Sequence, residues 1–256
     1  MMHKSEVIRP YVLLCLCAGM SFLLGCSALP EKSANETPAL HPVNSVVHDE
    51  VSYAIDIYDP WESFNRGMYR FNAGFDQYVF LPVVSAYEFV TPDIVENGIS
   101  NFFNNLFELN NLTNAILQLK PKATVHTTGR ILVNTTVGLA GLFDVATKLG
   151  IYEHDEDFGQ TLGHYGIGDG PYMILPILGP SNLRDMTGNI ADSLTFSAID
   201  PLNLDDHSER GVAFHLLNAI DRRHRIAFRY YDSGSPFEYE LTRMLYTRKR
   251  ELDIAR

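Results

Sequence analysis

Residues 59–78, which read DPWESFNRGMYRFNAGFDQY, decide the fold class of this chain. Residues 59–62 combine an N-cap side chain, a proline for the first helical turn and an acid three residues after the cap, a typical helix start. Apolar and aromatic side chains then recur every three or four residues and predict one stripe on an amphipathic helix: Trp61, Phe64, Met68, Phe71, Phe75 and Tyr78. Most such stripes pack into a core, but one this aromatic also suits contact with lipid acyl chains.

Helical periodicity continues along most of the chain. Pro82 is predicted to start a short second helix, and residues 235–238 form a predicted capping box. Residues 150–180 are rich in glycine and proline, which predicts turns and short helices. No segment shows the sustained two-residue alternation of a half-buried strand, so the prediction is a mainly α single domain of amphipathic helices. The further helical segments are 94–119, 123–149 (two helices joined at Gly138 and Gly141), 181–194, about 206–230 and 236–252.

The N-terminus reads as a lipoprotein leader. Residues 11–24 are apolar but too short to cross a bilayer, which takes about 20 residues, and have the length of a signal-peptide core. Residues 23–26 read LLGC and resemble a lipobox, which predicts acylation of Cys26, and Ser27 favours sorting to the outer membrane. The alternative is an ordinary signal peptide that contains cysteines. The predicted organisation is a signal peptide at 1–25, a lipidated tether at 26–57 and a folded domain at 58–256.

Charge and cysteine usage restrict the partners. The formal net charge is −11, so we expect no binding to nucleic acid and no attachment to anionic lipid by charge alone. Membrane contact must then come from apolar surface and from the acyl anchor. Cys15 and Cys17 fall inside the predicted leader, which leaves Cys26 without a disulfide partner.

No catalytic signature is present in the sequence. It has no Gly-x-Ser-x-Gly elbow, no His-Glu-x-x-His pair and no Walker motif. His154 and His164 lie near a cluster of acids at 153 and 155–157, where a metal or acid–base site is conceivable, but a solvated acidic loop is favoured. The sequence therefore predicts no enzyme, no metal site and no cofactor.

Several ordered motifs resemble the MlaA/VacJ family of lipoproteins. The resemblance extends over residues 59–252 and is strongest at 156–163. The other matching positions are 59–66 with 71–72; 97–102; 129–130, 134–135, 138, 141 and 144–146; 166, 168, 170–172, 175–176, 179–181 and 184–185; and 235–239, 243, 246 and 248. The tether is longer than is usual in the family.

The resemblance implies a helical ring around a polar channel in the inner leaflet of the outer membrane, anchored by lipid on its periplasmic face. Phospholipids misplaced in the outer leaflet would descend through the channel to a soluble periplasmic carrier of the MlaC type, which maintains lipid asymmetry. An ATP-driven complex would act at the inner membrane, and a trimeric porin would be a partner.

The resemblance also implies a flexible hairpin beside the channel. Gly166, Gly168 and Gly170 are the candidates for its hinge, because glycine adopts backbone angles that other residues avoid. A static tight turn is the alternative. Two other functions remain open on sequence alone: a structural envelope scaffold without transport, in which every aromatic stripe is core, and a lipid-modifying enzyme.

Overall fold

The structure is a computed structural model that describes residues 55–203 and 208–256. Cys26, the predicted leader and most of the predicted tether lie outside the described residues. The described chain is mainly α, as the sequence predicted. Its helices are α1 (Glu62–Phe75), a π-helical segment (Asp76–Phe80), α2 (Leu81–Val90), α3 (Asp93–Leu117), α4 (Pro121–Thr136), α5 (Val145–Lys148), α6 (Phe158–His164), α7 (Leu183–Ile199), α8 (Glu209–His224) and α9 (Glu238–Ala255); its strands are β1 (Tyr172–Leu175) and β2 (Gly179–Asn182).

The short second helix predicted at Pro82 is confirmed to within one residue, because α2 begins at Leu81 and has Pro82 in its first turn. It follows α1 and the π-helical segment without a loop. The N–H of Leu81 donates to the carbonyl of Asp76, a bond to the fifth residue back. The hydrogen-bond ladder is therefore already shifted where Pro82, which has no N–H, joins it.

Both predicted capping boxes are wrong. The α1 helix starts at Glu62, and its N-cap residue Trp61 makes no side-chain cap. Asp59 instead accepts hydrogen bonds from Asn65 at 2.8 Å, from Tyr239 and from Arg243 at 3.0 Å. Tyr239 and Arg243 are distant in sequence, so tertiary contacts outcompete the local cap.

The second predicted box fails for the same reason. The α9 helix starts at Glu238 without a side-chain cap. The carboxylate of Glu238 accepts hydrogen bonds from the Tyr69 hydroxyl at 2.6 Å and from the Tyr231 N–H at 2.5 Å. The acid therefore joins α9 to α1 rather than closing its own first turn.

Residues 172–182 form an antiparallel hairpin where only turns and short helices were predicted. The register pairs Tyr172 with Asn182 and Leu175 with Gly179. The strands are short, and the second reads GPSN, which has little intrinsic strand preference. The joint predicted at Gly138 and Gly141 is confirmed, since α4 ends at Thr136 and α5 begins at Val145.

The helices bury polar side chains and expose apolar ones. On α1 the buried residues are Asn65, Tyr69 and Asn72, whereas Phe64 is 60% exposed. The pattern continues on the longest helix, α3, where Glu96, Asn105, Glu108, Asn111 and Asn114 are buried. A helix in water shows the opposite arrangement, whereas contact with hydrocarbon favours apolar side chains outward and polar groups facing protein.

A large apolar surface surrounds the bend between α2 and α3. Its exposed side chains, here called the apolar corner, are Phe89, Val90, Ile94 and Val95. The turn after α4 exposes Leu139, Leu142 and Phe143, and it reaches α3 close to the corner, because Asn101 donates to the carbonyl of Leu142 at 3.2 Å.

Within the described residues, no single helix has the length and apolar composition to cross a bilayer. The segments Glu62–Val90 and Asp93–Leu117 meet that criterion only as a pair, and they are bent by 120° relative to each other.

Candidate functional site

A cavity of about 750 Å³ lies between α3, α7, α8 and the acidic loop that precedes α6. This volume is in the range of ligand-binding pockets, about 300–1,000 Å³. Its lining is mostly polar: Asn104, Phe107, Asn110, Asn111, Glu153, Asp155, Glu156, Asp157, Leu178, Asn189, Asp192, Ser193, Phe196, Ser197, Phe214, His215, Asn218, Arg222, Arg225 and Arg256. An open, polar space of this size beside helices with apolar exteriors is the candidate site.

One wall of the cavity is aromatic. The ring of Phe196 lies 5.3 Å from that of Phe107 and 6.4 Å from that of Phe214, measured between centroids. Phe103, buried on α3, packs against Phe214 at 5.3 Å and supports this wall from behind. The cavity therefore offers apolar surface as well as charge, as an amphiphilic ligand requires.

The acidic loop supplies another part of the lining, and two of its carboxylates are already paired. Glu156 accepts from the Lys120 ammonium at 3.0 Å. Asp157 pairs with Arg250 at 2.7 Å and caps α6 by accepting from the N–H of Gln160 at 2.8 Å. Burial disfavours ionisation of Asp157, but its bonds to Arg250 and Gln160 outweigh burial and hold its pKa below the ordinary value.

Two other carboxylates of this loop have no such partner. In the part of the chain that the structure describes, neither Glu153 nor Asp155 makes a side-chain hydrogen bond or ion pair. Burial raises the pKa of Glu153, although the positive charges of Arg130 and Arg225 oppose that shift. Both carboxylates line the cavity and are available to a ligand.

Arginines at the end of α8 face the same space. Arg225 is held by Asp221 at 2.9 Å and donates to Asn104 on α3 at 2.6 Å. Arg222, one turn earlier, is exposed and lines the cavity with no hydrogen bond or ion pair within the described residues. The site therefore contains both cationic and anionic side chains.

A buried ion pair fixes the polar interior behind the cavity. Glu108 on α3 is fully buried and accepts a hydrogen bond from Arg130 on α4. Arg130 also donates to Thr147 and to the carbonyl of Ile151, both at 2.9 Å, and pairs with Asp144 at 3.3 Å. This cluster ties α3 and α4 to the start of the acidic loop.

A second cluster joins α9 to α6 and α7. Arg250 pairs with Asp157 at 2.7 Å and with Asp185 at 2.8 Å. Asp185 also accepts from the Tyr246 hydroxyl at 2.7 Å. The charges and hydrogen bonds of the two acids outweigh burial and raise the pKa of Arg250, so α9 is fastened to the acidic loop by charge.

The hairpin is fastened to α1 by two asparagines. Asn65 donates to the carbonyl of Tyr172 at 3.1 Å and accepts from the N–H of Ile174 at 2.9 Å. Asn72 donates to the carbonyl of Leu175 at 2.9 Å and accepts from the N–H of Ile177 at 2.7 Å. These amides satisfy the free edge of β1, and they place Leu178, at the hairpin tip, on the rim of the cavity.

The candidate hinge glycines lie in the segment before the hairpin and do not line the cavity. A Cβ on Gly166 or Gly168 would meet nothing within 4 Å, whereas a Cβ on Gly170 would lie 3.1 Å from that of Leu183. Gly166 and Gly170 have positive φ angles of 84° and 70°. The three glycines that the sequence predicted as one hinge therefore differ in backbone angle and in the space around them.

The aromatic stripe on α1 lies mostly on the surface. Trp61, Phe64 and Phe71 are exposed and Phe75 is half-buried. The two histidines near the acidic loop are not brought together: His164 is exposed, and His154 lies 3.2 Å from His126 instead. No group of three or more His, Cys, Asp or Glu side chains in the described residues could hold a metal ion.

Sequence reasoning missed most of the cavity lining. The lining of α7 and α8, including Asp192, Asn218 and Arg222, belongs to helices whose hydrophobic pattern is weak. The available signal was asparagine on α3, where Asn104, Asn110 and Asn111 recur among apolar residues at helical spacing. Repeated amides on a helix that otherwise looks buried indicate a polar interior.

Comparison with known proteins identifies the fold. A family model described as the MlaA lipoprotein matches residues 57–253. The chain belongs to the MlaA lipoprotein family. The family match confirms the resemblance that the motifs indicated. A solved structure presented as the structural basis for maintenance of bacterial outer membrane lipid asymmetry is 32% identical to this MlaA-family chain, with a TM-score of 0.64 over 77% of this chain and 98% of that one.

Relatives of this MlaA-family chain include named lipoproteins. It is 45% identical over 140 residues to the Escherichia coli (strain K12) intermembrane phospholipid transport system lipoprotein MlaA, covering 52% of this chain and 55% of that protein. It is 39% identical over 155 residues to an uncharacterized protein of Rickettsia prowazekii, covering 60% of this chain and 61% of that protein. The match thus spans less than two thirds of either relative.

Proposed function

We propose that this chain is an outer-membrane lipoprotein whose polar cavity forms part of a channel that removes misplaced phospholipids from the outer leaflet and so maintains lipid asymmetry. One observation carries the proposal: a cavity of about 750 Å³ lined by charge, amide and phenylalanine lies among helices with polar interiors and apolar exteriors. Relatives named as lipoproteins of an intermembrane phospholipid transport system support it.

The physical role of such a cavity is to lower the cost of moving a headgroup. An unpaired charge that enters hydrocarbon loses its hydration at a cost of many kcal/mol. The arginines, carboxylates and amides of the cavity replace the water around the headgroup. The phenylalanine wall and the outer apolar surface keep the acyl chains away from water.

The anchor and the partners belong to the same proposal. Acylation of Cys26 would hold the domain at the periplasmic face of the outer membrane, since two or more acyl chains anchor a protein stably. The apolar corner and the exposed α1 stripe would then lie in the inner leaflet. Lipid would leave the cavity toward a soluble periplasmic carrier of the MlaC type, and a trimeric porin would hold the protein in place. Transfer of this kind needs no catalytic group.

The deciding experiment measures outer-leaflet phospholipid in cells that lack this gene, with an outer-membrane enzyme that acylates lipid A only when phospholipid reaches that leaflet. We expect a rise that the wild-type gene reverses and Cys26→Ala does not. Cys15→Ala is the matched control, because it removes a cysteine of the predicted leader and leaves the anchor. An unchanged signal in the deletion strain contradicts the transport role.

The same experiment addresses the scaffold alternative. A scaffold needs its aromatic stripes as core, yet Trp61, Phe64 and Phe71 are exposed. A scaffold also predicts a weakened envelope without any change in outer-leaflet phospholipid. The two functions therefore give different readouts in one deletion strain.

The hinge is tested at Gly168. Its φ is not positive and a Cβ there has open space, so Gly168→Val restricts the backbone without a clash. We expect phospholipid removal to fall while the thermal unfolding midpoint stays unchanged. Gly150→Asn is the control, because Gly150 lies outside the candidate hinge, a Cβ there has open space and asparagine tolerates its left-handed backbone. Normal lipid removal by Gly168→Val contradicts the hinge.

A further inference from the structure

The cavity carries more unpaired negative than positive charge. In the acidic loop, Glu156 forms an ion pair with Lys120, and Asp157 forms one with Arg250. Glu153 and Asp155 also line the cavity but form no ion pair among the described residues. Asp192 on α7, beside the end of this loop, accepts only from neutral donors, the Asn114 amide at 2.8 Å and the Phe158 N–H at 2.9 Å. A ligand that enters the cavity therefore meets carboxylates that have no cationic partner.

The positive charge of the cavity comes from Arg222 and Arg225 at the end of α8 and from Arg256, which donates to the backbone carbonyl of Asp155 at 3.1 Å. Arg222 makes no hydrogen bond or ion pair among the described residues, whereas Arg225 pairs with Asp221 at 2.9 Å and opposes the rise in the pKa of Glu153 by its charge. Guanidinium groups suit phosphate, which they bind through two hydrogen bonds. The same cavity thus offers guanidinium groups to a phosphate and carboxylates to an ammonium group.

We propose that this cavity selects zwitterionic phospholipids with an amine headgroup over anionic ones, with Arg222 and Arg225 receiving the phosphate and Glu153 and Asp155 the ammonium. This inference rests on the proposed function. An anionic headgroup satisfies the arginines but leaves the two carboxylates unpaired and adds a negative charge beside them. Discrimination against it follows from that repulsion as much as from attraction for the amine.

We expect the ligand to be a whole lipid rather than a free headgroup. The reason is that Phe107, Phe196 and Phe214 line the same cavity as the charged side chains. A soluble headgroup would leave these rings uncovered. The phenylalanines add affinity that depends on acyl chains and not on headgroup type.

The test uses the purified full chain in detergent, mixed with equal amounts of phosphatidylethanolamine and phosphatidylglycerol that carry the same acyl chains. After the protein is isolated again, mass spectrometry measures the ratio of the two lipids retained. We expect the wild type to favour phosphatidylethanolamine by about tenfold, equivalent to about 1.4 kcal/mol. The double variant Glu153→Gln/Asp155→Asn should bring the ratio close to one, whereas Arg222→Gln should lower the retention of both lipids.

The matched control is the double variant Asp93→Asn/Glu209→Gln, which removes two exposed carboxylates that do not line the cavity. It should keep the wild-type ratio. A wild-type ratio near one, or one that Glu153→Gln/Asp155→Asn leaves unchanged, overturns the selectivity while lipid binding stands. A wild type that retains neither lipid contradicts the proposed function itself. Displacement of bound lipid by an equal concentration of soluble glycerophosphoethanolamine overturns the assignment to a lipid.

Discussion

At the scale of single residues, the described interior of this protein holds more buried polar and charged side chains than buried apolar ones. Its main buried apolar cluster consists of Tyr69, Tyr172, Ile174 and Tyr239, and the tyrosine hydroxyls of Tyr69 and Tyr239 bond to carboxylates. Buried polar groups are costly when unpaired. The buried residues of the family motifs therefore serve mainly as hydrogen-bond and ion-pair partners for one another.

Arg130→Met should destabilise the fold strongly. It leaves Glu108, which is 0% exposed, as an uncompensated buried charge. Loss of one partner of a buried pair costs about 3–5 kcal/mol, measured as the free energy of unfolding in detergent. The surface change Arg248→Met, which affects an exposed contact to Glu251, should cost less than about 1 kcal/mol. A double variant Glu108→Leu/Arg130→Met should recover much of the loss, and similar losses from Arg130→Met and Arg248→Met would contradict this account.

Asp157 should make the free energy of unfolding fall as the pH is lowered. Its folded-state pKa lies below the ordinary value because of Arg250 and Gln160, so its contribution is complete above the unfolded pKa, about 3.9, and is lost as pH falls toward the folded pKa. Asp157→Asn keeps a side chain that caps α6 but removes the charge. The fall in free energy of unfolding between pH 7 and pH 3 should therefore be smaller in this variant. An equal fall in the free energy of unfolding in the variant and the wild type would contradict the prediction.

At the scale of elements, α6 and α7 approach each other through glycine. A Cβ on Gly188 of α7 would lie 2.3 Å from the backbone nitrogen of Gly159 on α6. Such a distance is far below van der Waals contact, so the two helices can cross this closely only because Gly188 has no side chain. This crossing places Asp157, at the start of α6, beside Asp192 on α7.

Gly188→Ala should force α6 and α7 apart and destabilise the fold by about 1–3 kcal/mol, the usual cost of overpacking. The same change on α1, Gly74→Ala, has open space around it and should stabilise its helix by about 0.5–1 kcal/mol. Chemical unfolding followed by circular dichroism distinguishes them. Equal midpoints for the two variants would contradict the close crossing.

At the scale of the whole described unit, polarity is inverted relative to a protein in water. Glu108 and Asn65 are fully buried while Phe89 is 90% exposed. Apolar surface on this scale normally marks contact with a membrane or a partner. The many polar side chains in the interior also account for the polar lining of the cavity.

Phe89→Glu should weaken membrane association without weakening the fold. In a Cys26→Ala background, which removes the predicted anchor, the fraction of protein that sediments with vesicles should fall, because a carboxylate at the apolar corner resists hydrocarbon. Leu252→Glu makes the same change at an exposed leucine beside the charged residues of α9 and should leave sedimentation unchanged. Equal effects of both substitutions would contradict a membrane-facing corner.

Helical periodicity and dense motifs are local in the chain, so they were enough to predict the mainly α class, the positions of most helices and the family. Tertiary structure alone decided which face of each helix is buried. Periodicity detects an apolar stripe but not the direction in which it points, and here Phe64 faces outward and Asn65 inward. The predicted capping boxes at 59–62 and 235–238 failed because distant partners bind their acids: Tyr239 and Arg243 of α9 bind Asp59, and Tyr69 of α1 binds Glu238. The hairpin was missed for a related reason, since Asn65 and Asn72 supply from α1 the hydrogen bonds that its short strands lack.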